Sequence, residues 1–119
     1  MRALFVAVAG AAGASCRYAI GLAVGVRSFP WATLGINLTG SFLLAALLTA
    51  GTERGWSQDV TVPLAVGFLG AYTTFSTFSW EAFTLARTDR VGTAAVYVAA
   101  SLVGGIVAAA GGYAVARGG

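Results

Sequence analysis

Gly67-Phe68-Leu69-Gly70-Ala71-Tyr72-Thr73-Thr74-Phe75-Ser76-Thr77-Phe78-Ser79 is the stretch on which the fold turns. It lies inside an uncharged run, residues 60–80, yet carries five serine and threonine hydroxyls and two phenylalanines three residues apart. An uncharged run of this length is enough to cross a bilayer, which takes about 20 mostly apolar residues. Glycines and small hydroxyl residues at this density weaken a spanning helix, and lipid anchoring gives no reason for them. The stretch is expected to line something that moves or is bound.

The rest of the chain has the same apolar character. Of its 119 residues 58% are hydrophobic and only 9% charged, with 17 glycines and a mean hydropathy of +0.83. A soluble domain carries about 25% charged residues, so this composition cannot cover a globular surface in water. Residues 28–52 and 91–116 are also uncharged, and residues 3–26 are interrupted only by Arg17. The expectation is one all-α domain over residues 1–119, an integral membrane protein with spans at about 3–26, 31–50, 60–86 and 91–116. Met1-Arg2 ahead of an apolar run, with Ala12-Gly13-Ala14 beyond it, also has the outline of a secretory signal. Cleavage there would strand Arg17 near a new N-terminus and waste the apolar residues 18–26.

The charges sit in the links. Arg27-Ser28-Phe29-Pro30 closes the first span, and Pro30 suits the start of the second because its missing N–H is an orphan there anyway. Residues 51–59, with Glu53, Arg54 and Asp59, form a polar link, and Arg87-Thr88-Asp89-Arg90 closes the third span. Trp31 and Trp56 stand at opposite ends of the second span, where interfacial aromatic belts lie. Four spans put Arg2, Arg54 and Arg117 on one side of the membrane and Arg27, Arg87 and Arg90 on the other. Orientation follows an excess of Lys and Arg on one side, and here there is none. A short chain has few charges for the rule to act on; the balance also favours insertion both ways round, with assembly as an antiparallel dimer.

Several residues carry possible chemistry. Arg17 inside a span costs about 2.5–3.5 kcal/mol on insertion scales; it either snorkels to an interface or stands as a fixed charge in a watery vestibule, drawing anions toward a pore. Glu81 and Arg87, near the end of the third span, could pair, which would make either less informative. Asn37 is the amide of the second span, available as interhelical glue or as a donor to an anion stripped of water. Tyr97, Ser101, Gly105 and Ala109 recur every four residues on one helical face, which reads as close packing or as a polar track. Gly21 and Gly25 form an ordinary packing pair. Phe75 and Phe78 share a face, and the positive ring edges could hold a small hard anion without a full charge, weakly enough to release it. The single Cys16 makes no intramolecular disulfide and is expected to be a small packed residue. With no histidine, no set of side chains suits a transition metal, and no serine has a base for enzymatic work.

At these residues the chain resembles a known family. Gly35-Ile36-Asn37-Leu38-Thr39-Gly40-Ser41-Phe42, together with the opening stretch continued through Trp80-Glu81, resembles the Fluc fluoride channels, also called CrcB. Gly10-xx-Gly13-Ala14-xx-Arg17-Tyr18 is similar to that family's first span, and the similarity extends over the whole chain in length and span count. The resemblance implies a channel for passive, selective fluoride efflux from a microbial cytoplasm, set in the cell membrane, not an enzyme, and working as a dual-topology homodimer with two antiparallel pores. It implies that Phe75 and Phe78 meet fluoride edge-on, that Asn37 is the pore amide, and that Tyr97 and Ser101 form the polar track. Arg17 would be the vestibule cation. The resemblance also implies that Gly70 and Thr73 lie at a break in the third helix, their carbonyls from both subunits holding one structural Na+ at the dimer interface, a placement that obeys the rule that irregular backbone at membrane depth is buried or lines a cavity. One departure stands out: a second hydroxyl often follows Ser101 by a turn, and here Gly105 occupies that place. The rival class is a proton-coupled cation exporter of the small multidrug resistance type. It needs a membrane-embedded carboxylate, but the first span has none and Glu81 lies close to the end of the third.

Overall fold

The computed structural model describes residues 1–118, whose regular elements are all helices, with no strand among them. Helix α1 covers Arg2–Val24 and α2 covers Trp31–Arg54. The third span, Gln58–Arg87, is composite. It runs through α3 (Gln58–Val62), a π-helical segment (Pro63–Leu69), α4 (Gly70–Tyr72) and, after two extended residues, α5 (Phe75–Arg87). Helix α6, Val91–Gly118, is the fourth. All four are long and apolar enough to cross a membrane, so the four-span, all-α architecture with an interrupted third span is the one observed.

Local chemistry sets the helix ends. Gly25 (φ 75°) closes α1, its N–H bonding the Gly21 carbonyl, and Gly55 (φ 64°) closes α2 in the left-handed conformation that glycine adopts without strain. The link expected at 51–59 therefore shrinks to residues 55–57. Gly51 does not end the helix; it makes room, since a Cβ there would lie 2.9 Å from Thr61 Cγ2. Ser57 then caps α3, its Oγ accepting the Asp59 N–H at 3.0 Å. Pro63 has no N–H to offer the preceding turn, and the backbone ladder widens to the π form from that residue.

Two polar contacts tie the ends together. Arg2 donates to Asp59 Oδ1 from Nε (3.0 Å) and Nη2 (2.8 Å), joining the start of α1 to the start of the third span. At the opposite end Arg90 Nη1 donates to the Ser28 carbonyl, joining the first and third links. This is the arrangement of sides on which the arginine count rests.

Inside lipid, helices associate through close packing of small residues rather than through a hydrophobic drive. Helices α2 and α6 form the most extensive pair. Gly112 lies against the Phe42 carbonyl, and a Cβ on Gly104 would stand 2.8 Å from Leu38 Cδ2. Gly13 packs α1 onto the Phe68 carbonyl, while Gly67 faces the Val6 carbonyl, 2.7 Å from where its own Cβ would be. Gly21 and Gly25 are not a packing pair within the subunit: nothing outside their own helix lies within 4 Å of a Cβ at either. Cys16 is exposed rather than packed. Leu34, Phe78, Leu85, Ala94 and Tyr97 make the larger buried cluster, directly beside the interruption of the third span.

Candidate functional site

The interruption is built from side chains. Thr73 (φ −81°, ψ 158°) and Thr74 (φ −149°, ψ 119°) are extended, so their backbone groups need partners from elsewhere. Asn37 supplies both for Thr74: its Oδ1 accepts the Thr74 N–H at 2.9 Å, and its Nδ2 donates to the Thr74 carbonyl at 3.0 Å. Thr74 Oγ1 in turn accepts the Thr77 N–H at 3.2 Å and caps α5. Gly40 lets α2 approach, because any side chain there would collide with the Thr73 methyl.

The break therefore falls at Thr73–Thr74, not across residues 70–73 as expected. Gly70 is helical (φ −63°, ψ −37°), because it is captured hydrogen bonds, not glycine freedom, that open the chain. The consequence for Gly70 lies in its carbonyl. In a continuous helix it would accept the Thr74 N–H, and that N–H goes to Asn37. The Thr73 carbonyl loses the Thr77 N–H to Thr74 Oγ1 in the same way.

Two clefts meet at Thr74. The first, of about 300 Å³, is lined by Asn37 and Ser41 from α2 and by Phe75 and Phe78 from α5. Ser101 of α6 closes it, with Gly70 and Thr73 at the break. The phenylalanine rings lie 5.9 Å apart, tilted by 48°. Phe78 is buried and packs on Tyr97 at 5.1 Å, whereas Phe75 is 77% exposed and projects from the subunit. Ser101 Oγ is buried without a hydrogen-bond partner among the described residues.

The second cleft, of about 370 Å³, holds Arg17, Thr33, Thr77 and Glu81. Arg17 is half-buried and does not simply snorkel away: its Nε donates to the Ala71 carbonyl at 3.1 Å, next to the break. No carboxylate lies within ion-pair distance of it among the described residues, where Arg2–Asp59 is the one salt bridge. Tyr97, wholly buried, donates its hydroxyl to Glu81 Oε1 at 2.9 Å. Glu81 thus pairs with Tyr97, and the possible pair with Arg87 does not form. Six residues separate Glu81 from Arg87, which puts them on different helical faces; Glu81 turns inward while the Arg87 guanidinium lies over the Trp80 ring at 5.8 Å.

Asn37, Gly70, Thr73, Phe75, Phe78 and Ser101 line the first cleft and Arg17 and Glu81 the second, while Tyr97 touches Phe78 and Glu81 and so contacts both linings. Gly105, Ala109, Cys16 and Arg87 line neither. The Asn37–Thr74 clamp, the Tyr97–Glu81 bond and Ser41 went unseen. A lone amide in one span and a threonine just before a helix start were the only available signs of the clamp. Chemically, the first cleft offers hydroxyls, an amide and ring edges, with no ionisable side chain among its lining. That suits holding and releasing a small ion and provides no nucleophile–base pair.

An all-helical, four-span protein whose third span opens onto an uncharged polar cleft belongs among membrane transport proteins. Residues 4–113 match the family described as CrcB-like protein, Camphor Resistance (CrcB), and the chain is a member of that family. It is 48% identical over 118 residues to the fluoride-specific ion channel FluC 2 of Geobacillus kaustophilus, covering 96% of this chain and 92% of the relative. To the fluoride-specific ion channel FluC of Idiomarina loihiensis it is 46% identical, over 82% of this chain and 78% of the relative. To FluC 2 of Clostridium acetobutylicum it is 41% identical, over 86% of each.

Proposed function

We propose that this protein is a fluoride-selective ion channel of the cell membrane, through which cytoplasmic fluoride leaves passively, lowering its toxicity. The observation that carries this is the uncharged cleft at the break, where an amide, a free serine hydroxyl and two phenyl rings converge. A small, strongly hydrated anion crosses an apolar barrier only if other donors replace its water. Neutral donors do so without the trapping that a full positive charge would bring.

The residue roles follow. Phe75 and Phe78 offer their positive ring edges. Asn37 keeps a second N–H beyond the one given to Thr74, and Ser101 offers its unpartnered hydroxyl. Tyr97, one turn from Ser101 and held by Glu81, completes the track on α6. Arg17 raises anion concentration in the second cleft, from which Thr74 leads to the first.

The working unit is an antiparallel homodimer. Phe75 and Gly70 are exposed on a single subunit, and a copy related by a two-fold axis would cover them and present the same surface in return. The Gly70 and Thr73 carbonyls, both deprived of their helical donors, suit a hard cation that takes oxygen ligands. One Na+ between the copies, held by this pair from each, would neutralise the carbonyl dipoles gathered there. The dimer should accordingly unfold at a higher temperature in NaCl than in choline chloride; equal values would argue against the site.

The functional proposal is tested by growth. In a bacterium lacking its own fluoride exporter, this protein should restore growth at inhibitory fluoride. Tolerance instead to a quaternary ammonium dye, abolished by Glu81→Gln, would identify the exporter class.

A further inference from the structure

Four hydroxyl side chains line the cleft at the break: Ser41, Thr73, Thr74 and Ser101. Two are committed to backbone. Thr73 Oγ1 donates to the Leu69 carbonyl at 2.9 Å, and Thr74 Oγ1 accepts the Thr77 N–H. Helical serines and threonines commonly bond the carbonyl four residues back, as Ser15, Ser79 and Thr88 do here at 2.7–2.9 Å. Ser101 and Ser41 do not. Ser101 Oγ is buried and unpartnered, and Ser41 Oγ makes no hydrogen bond among the described residues.

The surroundings of Ser41 explain what its hydroxyl faces. Across from it on α6 stands Gly105, where a Cβ would lie 3.8 Å from Ser41 Oγ and within 4 Å of nothing else. Ser41 follows Asn37 by one turn of α2, and Gly105 follows Ser101 by one turn of α6, so the two pairs succeed each other by about 6 Å. The apolar lining of the same cleft includes Leu44, three residues after Ser41 on α2, and Leu102, next to Ser101 on α6. An anion passing Ser101 would meet apolar side chains with no donor, a step that hydrated ions resist.

We propose that Ser41 is an ion-contacting residue of the permeation path, its hydroxyl reaching across Gly105 to take the anion on from Ser101. The proposal rests on the fluoride-channel function above. It makes Gly105 the space for a donor that comes from α2, rather than a gap in the lining. A serine hydroxyl has one O–H to donate, and here no protein acceptor competes for it.

The test is fluoride release from liposomes, read with an electrode, for the wild type, Ser41→Ala, Ser41→Ala/Gly105→Ser and Ser41→Ala/Gly105→Ala. The wild type should release fluoride. Ser41→Ala should release it at least about tenfold more slowly, the equivalent of ~1.4 kcal/mol at the barrier. Gly105→Ser in that background should restore most of the rate, because a side chain at 105 fits and returns the hydroxyl to the same space. Gly105→Ala, which adds the carbon without the oxygen, should not. Wild-type release by Ser41→Ala, or no recovery with Gly105→Ser, would overturn the role of Ser41 while leaving an active fluoride channel. An inactive wild type would instead overturn the channel function on which the role depends.

Discussion

Asn37 grips both backbone groups of Thr74, and this one side chain is what keeps the third span open. Asn37→Leu leaves an N–H and a carbonyl unpaired at membrane depth, each costing about 1–3 kcal/mol. The variant should unfold at a lower temperature in detergent and lose fluoride transport; unchanged stability would show that the break does not depend on the clamp. The two phenylalanines separate in the same kind of experiment. Phe75→Ile and Phe78→Ile should each slow fluoride release by about tenfold, or ~1.4 kcal/mol at the barrier. Phe78→Ile should also destabilise the subunit by about 1 kcal/mol, because Phe78 packs on Tyr97, whereas Phe75 is exposed in the subunit. Wild-type release in both would contradict a ring-edge contact. Residue types alone pointed to Asn37, Phe75 and Phe78, since an amide and a cluster of hydroxyls have no place in plain hydrocarbon. The partner of Glu81 was not readable that way: choosing between Arg87 and Tyr97 requires knowing which way α5 turns its face.

Among the elements, the composite third span owes its position to glycines on both sides. Gly13 lies so close to the Phe68 carbonyl that a side chain must push α1 off the π-helical segment. Gly13→Val should therefore cost about 1–3 kcal/mol, seen as a lowered unfolding temperature, while Gly21→Ala should not, since nothing surrounds Gly21. Similar losses for both would mean that α1 packs differently. The helices stop near the ends of the uncharged runs, α1 and α2 at the capping glycines Gly25 and Gly55. The break was misplaced because glycine, the visible sign, is not its cause. Its cause is a side chain 37 residues away in sequence, and such a contact leaves no local pattern. Gly51 misled for the same reason: it looks like a stop and serves as a packing face.

At the scale of the whole molecule, the two ends of the bundle are each tied by an arginine, Arg2 at one and Arg90 at the other, and neither side carries an excess of positive charge. Tags on the termini should thus be accessible from both sides of the membrane in intact cells; labelling from one side only would rule out insertion in both orientations. Phe75 and Gly70 are exposed beside the cleft on the single subunit, and this exposure is what motivates the proposed dimer. The most direct measurement uses purified protein in liposomes loaded with equal fluoride and chloride, with both anions followed by electrode. Fluoride should leave rapidly while chloride stays behind. Fluoride retained as in protein-free vesicles, or chloride released alongside it, would contradict a fluoride-selective channel.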